Sequence, residues 1–304
     1  MELSRRDVLR YGCAGAATGL AGCIDQVTPL PGTDEGSYRR WLPAPAALPD
    51  GDDYQFFRVS PTKFVQYEDA MRVETWENVT KYGSSLRSLL DLQHQDVSEF
   101  TIGPGFKVGV TSLETETLAD RLTGRQFSKQ TSLDGFDIYA NTETSAAVGL
   151  KEETIVYVDG DTDSAADRLQ TVITTHADEA EQYKSASEAF GTLTEGLNNG
   201  HFLTGVVHQP HEETAPEQGT FAGAVGWGIS RTFKKTESPG QWLIVFESES
   251  AAEAREQAVK SWAEASLSDV NNIKAAQTGK VVLVTGKEPT EKLALSKSLP
   301  TAER

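Results

Sequence analysis

Residues 106–113 read FKVGVTSL, and residues 241–248 read QWLIVFES. Both runs are rich in the β-branched and aromatic residues that suit a strand. A helical pattern follows each, from Glu114 to Gly124 in one case and from Ala251 to Ala265 in the other. Two further strand-like runs follow each helix. They are GFDIYAN (135–141) with SAAVGL (145–150), and NIKAAQTG with KVVLVTG (272–286). Strand, helix, strand, strand therefore occurs twice with similar spacing, the mark of an internal duplication. The paired strands are joined by short turns. Parallel strands need crossovers of a dozen residues or more, so the sheets are expected to be antiparallel. The predicted fold is α+β, as two tandem ferredoxin-like units with helices on one face of each sheet. The units span residues 54–158 and 159–304.

Working outward, YQFFRVS (54–60) opens the first unit as a strand. A helical region covers residues 68–95, with Leu86, Leu89, Leu90 and Gln93 at amphipathic spacing and Gly83 as an interruption. SEFTIG (98–103) turns at Pro104-Gly105 into the 106–113 strand, and TIVYVDG (154–160) closes the unit. Asp163 to Ser187 is the longest helical pattern. HFLTGVVHQ (201–209) and FAGAVGWGISRTF (221–233) are further strands.

Residues 24–53 hold five of the 12 prolines and a DGDD cluster. With Cys23 they read as an extended, disordered tether over 23–53, in which Tyr38, Trp41 and Leu42 are expected to make a local contact with the body.

The N-terminus reads MELSRRDVLRYGCAGAATGLAGC. Three arginines precede a weakly apolar Gly/Ala run, the layout of an export signal. The run is too short for a membrane span, which needs roughly 20 apolar residues. Ser4-Arg5-Arg6-Asp7-Val8-Leu9 resembles the twin-arginine export pattern, with Arg5 and Arg6 as the recognised pair. Leu20-Ala21-Gly22-Cys23 resembles a lipobox. That resemblance implies removal of residues 1–22 and a lipid on the Cys23 thiol. Two acyl chains anchor a protein stably where one does not. Cys13 would leave with the signal, and a lipidated Cys23 would leave no free thiol for disulfides, metal or catalysis.

The chain carries 28 basic and 45 acidic residues, net −17. Losing residues 1–22 removes three basic and two acidic side chains and leaves −18. Such a surface repels phosphate backbones, which excludes a nucleic-acid role. Together with the signal, the acidity resembles that of twin-arginine-exported lipoproteins of haloarchaea, which stay soluble in high salt through dense carboxylate hydration.

Three of five histidines, His201, His208 and His211, fall in HFLTGVVHQPH. Imidazoles can hold Zn²⁺, Cu²⁺ or Ni²⁺. Pro210 prevents helical presentation of His208 and His211, and seven residues on one strand would turn His201 and His208 to opposite faces. A polar loop after an edge strand accounts for the same residues. Asp159, Asp161 and Asp163 have the spacing of a calcium loop, but Ser164 and Gln170 stand where glycine and glutamate are required. A helix-capping turn is the simpler reading. Gly223, Gly226 and Gly228 lack the following helix of a phosphate loop and mark a close backbone approach instead. Trp227 and Trp242 read as core or rim aromatics. Thr285-Gly286-Lys287 lacks the first glycine of a Walker loop, because Val281 stands there. Asn78-Val79-Thr80 is a glycosylation sequon.

These readings point to a lipoprotein on the extracellular face of the membrane. Its partners are the membrane, through Cys23, and an unknown protein or small molecule. The role is binding or structural, with no cofactor and no identifiable catalytic residue. The alternatives are a metal-binding surface protein using the histidines and an exported hydrolase whose carboxylates the sequence does not locate.

Overall fold

The computed structural model describes residues 37–48, 54–141, 143–159, 165–293 and 295. Arg5, Arg6, Cys23, the signal, Asp161 and Asp163 lie outside them. In chain order the elements are β1 (Tyr54–Val59), α1 (Pro61–Val65), α2 (Val73–Lys81), α3 (Ser84–Leu90), β2 (Val97–Gly103), β3 (Phe106–Thr111) and α4 (Thr115–Gly124). Then come β4 (Ser128–Leu133), β5 (Phe136–Asn141), β6 (Ala146–Lys151), β7 (Thr154–Val158), α5 (Ala165–His176), α6 (Tyr183–Ala186) and α7 (Glu188–Gly196). The chain continues with β8 (Phe202–Val207), β9 (Ala224–Arg231), β10 (Glu237–Phe246), α8 (Glu249–Ser266), β11 (Asn271–Thr278) and β12 (Val281–Pro289).

The α+β class holds, with all strands in one antiparallel sheet of twelve. Its order is β11-β12-β10-β9-β8-β1-β2-β3-β7-β6-β5-β4. Strands from residues 54–158 occupy one side and those from 202–289 the other. They meet where β1 pairs with β8, from Tyr54↔Val207 to Val59↔Phe202. The two halves are thus continuous through main-chain hydrogen bonds.

Helices cover both faces, where one was expected. Alternation along β10 shows why. Leu243 and Val245 join the core under α5 and α7, while Trp242, Ile244 and Phe246 join the core under α8. Successive strand residues point to opposite faces, and here both are apolar, so both need cover. The α1–α4 helices lie on the α8 side, over Phe100, Val148 and Ile155.

Ser37–Trp41 forms a short 3-10 helix, and the segment through Leu48 packs into the α5–α7 core. Tyr38 stacks on Phe56 at 5.9 Å, and Trp41 stacks on His176 at 3.7 Å. The main chain is tied as well: Ala44 N–H donates to Glu181 O at 3.1 Å and Tyr183 N–H to Leu42 O at 2.9 Å. The expected contact by Tyr38, Trp41 and Leu42 is therefore deep burial. Residues 37–48 are part of the body and not of the tether.

The helical pattern expected over Asp163–Ser187 is instead two helices, α5 and α6, and Ser187 caps a third, α7. The chain turns at Asp178, where φ is 63°, and Gln182 is buried beside Pro43. The interruption at Gly83 is observed, with φ 69°, and a Cβ there would lie 2.5 Å from the Phe100 ring. The hairpins at Pro104-Gly105, 135–150 and 272–286 are also present.

Candidate functional site

The position of α7 opens a cleft on the second half. Ser187 caps the helix by accepting from Phe190 N–H at 3.2 Å. The helix sits close to the sheet because Gly205 and Gly228, paired across β8 and β9, leave room for it. A Cβ on Gly228 would be 2.6 Å from Leu197, and one on Gly205 would be 2.9 Å from Leu193. These glycines therefore serve packing, as expected for Gly228. A Cβ on Gly226 would likewise lie 2.9 Å from the Val206 carbonyl oxygen.

At its first turn α7 stands beside the ends of β8 and β10. A cleft of about 310 Å³ opens there, lined by Ser187, Glu188, Thr192, Val207, His208, Val225, Val245 and Lys280. Its floor is valine. Across its mouth Lys280 Nζ meets Glu188 Oε1 at 2.9 Å, and both side chains are exposed. An apolar floor with a charged rim suits an apolar group carrying a polar end.

His208 lines this cleft. Its Nδ1 lies 2.7 Å from Gln209 O, and its ring is 4.2 Å from that of His211. His211 is fixed through its backbone, N–H to Ala224 O and O from Gly223 N–H. His201 is elsewhere, at the opposite end of β8. The structure thus brings together His208 and His211 but not all three histidines. Among the described residues no group of three or more His, Cys, Asp or Glu is placed to hold a metal.

His201 has a structural role. Its Nδ1 accepts from Phe233 N–H at 3.1 Å, and its ring lies between Tyr67 and Phe233. Burial pushes its pKa down to about 4, and the positive Lys63 and Arg58 act in the same direction. An unfolded histidine takes its proton near 6.5. Between these values the unfolded chain binds more protons, so stability falls as pH drops from about 6.5 to 4 and is unaffected above that window. Allowing for solvent screening, roughly 1–2 kcal/mol is at stake. Urea melts across this range should show the loss, and His201→Gln should flatten the slope. An unchanged slope in the variant would assign the loss to other groups.

Asp159 accepts from Tyr157 Oη at 2.9 Å and faces Lys107 at 3.8 Å, so its carboxylate is engaged at the end of β7. Asn78 lies on α2, where its Oδ1 accepts from Lys81 Nζ at 3.4 Å. Trp227 and Trp242 are buried in the α8 core. Gly286 passes close under the 270s loop, because a Cβ there would be 2.3 Å from Val270. The cleft itself was missed at the level of sequence: its residues come from five separate stretches with no common motif.

No protein-family model and no curated protein matches the sequence. Solved structures of TP0453 resemble it. Crystal form III matches with TM-score 0.45 at 9% identity, over 86% of this chain and 97% of that one. Crystal form IV gives 0.45 at 9%, over 87% and 100%, and crystal form I gives 0.42 at 10%, over 89% and 99%.

Proposed function

We propose that this chain is an exported lipoprotein, held to the outer face of the membrane by lipid on Cys23, whose α+β body binds a partner there. The observation that carries the anchor is the coincidence of Ser4-Arg5-Arg6 with Leu20-Ala21-Gly22-Cys23 at one N-terminus. The cleft beside α7 supports the binding role. Its valine lining and charged rim offer recognition of an apolar group with a polar end.

Fractionation of the producing cells tests the anchor. Wild-type protein should sediment with membranes and partition into detergent, while Cys23→Ala should appear in the medium. Equal membrane retention of the variant would refute lipid anchoring. Elemental analysis of the same wild-type material decides the metal alternative, which rests on the His208–His211 pair. Stoichiometric zinc, copper or nickel lost on His208→Ala plus His211→Ala would support it, and metal-free protein would remove it.

The ferredoxin-like description belongs to the same proposal. It is supported by β10–α8–β11, where β12 lies between the strands joined by the helix. In β3–α4–β4, strands β7, β6 and β5 lie between. Both are split β-α-β units returning to their first strand. Superposition of residues 202–289 on 54–158 is the check: α8 should fall on α4, and a fit that leaves them on different strands would sink the duplication.

A further inference from the structure

The sheet is not covered equally at its two ends. On the face that carries α5 and α7, cover by the described helices stops at β10. There α7 packs on β8, β9 and β10, and α8 lies on the other face of β10, β11 and β12. Register identifies what is left open. Thr278, Ala276 and Lys274 of β11 pair with Val281, Leu283 and Thr285 of β12. These in turn oppose Val245, Leu243 and Gln241 of β10. Directly opposed residues share a face, and Leu243 and Val245 face α7. The open strip therefore has Val281 and Leu283 half-buried, Ala276 exposed, and Lys274 and Lys287 exposed at one end. Among the described residues neither lysine has an ion-pair partner. Lys280 stands at the other end with Glu188, where the strip runs into the cleft. Glu237 lies on the same face at the far end of β10, and Glu188 and Glu247 line the cleft into which the strip runs.

The first half shows what such a strip takes. There the chain leaves β7 as α5, which lies back across β7, β6 and β3 and buries Leu169, Val172 and Ile173. Gly149 lets Ile173 approach, since a Cβ would sit 3.1 Å from it. β12 is the second-half counterpart of β7 in pairing, because each lies beside the strand that leads into its unit's helix, β10 before α8 and β3 before α4. After β12 the chain crosses to the opposite face instead. Leu293 and Leu295 join the core of α1–α4, and Thr75 Oγ1 donates to the Leu293 carbonyl. The described residues after β12 therefore do not supply the missing helix.

We infer that the open face of β10–β12–β11 is the docking surface for an amphipathic helix of a partner protein, with an acidic flank. The apolar strip is the seat for its leucine-type stripe. Charge sets one flank: Lys274 and Lys287 stand together at one end of the strip with no ion-pair partner among the described residues, on a chain of net −17, where an acidic partner is repelled by most of the remaining surface. The inference names the partner of the proposed binding role and rests on that role. It does not depend on the lipid anchor, which is tested separately by fractionation.

The test uses the purified full-length chain at a salt concentration where circular dichroism shows it folded. The probe is a fluorescent synthetic helix of about 18 residues, with leucines at i, i+3, i+4 and i+7 and glutamates elsewhere. Anisotropy should show saturable binding. Ala276→Glu, which places bulk and charge at the strip's centre, and Lys274→Glu with Lys287→Glu should each weaken it by about tenfold or more. These sites are exposed, so the variants should melt like wild type. The same peptide with lysines for glutamates should bind at least about tenfold more weakly. Equal affinity for both peptides, or for wild type and the Ala276→Glu variant, would overturn the assignment. So would Ala276-dependent binding to phosphatidylglycerol vesicles in preference to the peptide, which would make the strip a lipid-contacting face. Ala276-dependent self-association in sedimentation would make it a contact between copies, and would also overturn it.

Discussion

Glu288→Ala should destabilise the body by roughly 3–5 kcal/mol, since it leaves a buried guanidinium without its carboxylate. Arg231 is 1% exposed and Glu288 is 4% exposed. Arg231 Nη1 donates to Glu288 Oε2 at 2.5 Å, between β9 and β12 with β10 passing between them. The guanidinium also lies over the Trp242 ring, 4.4 Å from its centroid. Gly240 makes that geometry possible, because a Cβ there would come within 2.9 Å of Trp242 and 3.1 Å of Arg231. Burial pulls the arginine pKa down and Glu288 holds it up. For a body of this size, the loss corresponds to a fall in melting temperature on the order of 10 °C. The double variant Arg231→Met/Glu288→Leu should recover most of it, since apolar replacement of a whole buried pair is often neutral or better. A single variant within about 1 kcal/mol of wild type would mean that water reaches this site.

Trp41→Ala is the second large effect, at roughly 3–5 kcal/mol. Trp41 is 6% exposed, stacked on His176 and edge-on to Phe136 at 6.2 Å. Its loss removes the largest side chain that holds residues 37–48 on α5. Limited proteolysis should then cut at Arg39 or Arg40 before the sheet is touched, and the melting temperature should drop. Trp41→Phe should keep most of the stability. A Trp41→Ala protein with wild-type melting and no new cleavage would return this segment to the tether.

The segment shows how composition misleads. Prolines at 43, 45 and 49 beside acidic clusters suggested extended chain. What decides the outcome is the complementarity of Tyr38, Trp41 and Leu42 to a groove made by α5, α7 and Phe56, and that groove exists only after long-range folding. The same limit applies to β4. SKQTSL is exposed at almost every position, so it has no apolar alternation to read. It is placed by pairing with β5. The hairpins and α8 were legible because their signals are local: alternation, a turn glycine, and Ser248 accepting from Ala251 N–H at the helix start. Joining the halves through β1 and β8 pairs Tyr54 with Val207, and no local pattern specifies such a partner. The separation of His201 from His208, by contrast, was legible from strand geometry. Seven residues of strand span roughly 20 Å, which puts His201 and His208 at opposite ends of β8.

Both sheet edges carry the features that discourage further pairing. β4 is bulged between Lys129 and Thr131, and β11 between Asn271 and Lys274. The open face beside β11 is thus better suited to a helix laid across it than to another strand.

Mass spectrometry of the N-terminal peptide from protein made in its own cells tests the account most directly. The account predicts a peptide that begins at Cys23, heavier than its sequence by a thioether-linked diacylglyceryl group. An unmodified Cys23 thiol, or a peptide still carrying residues 1–22, would contradict it.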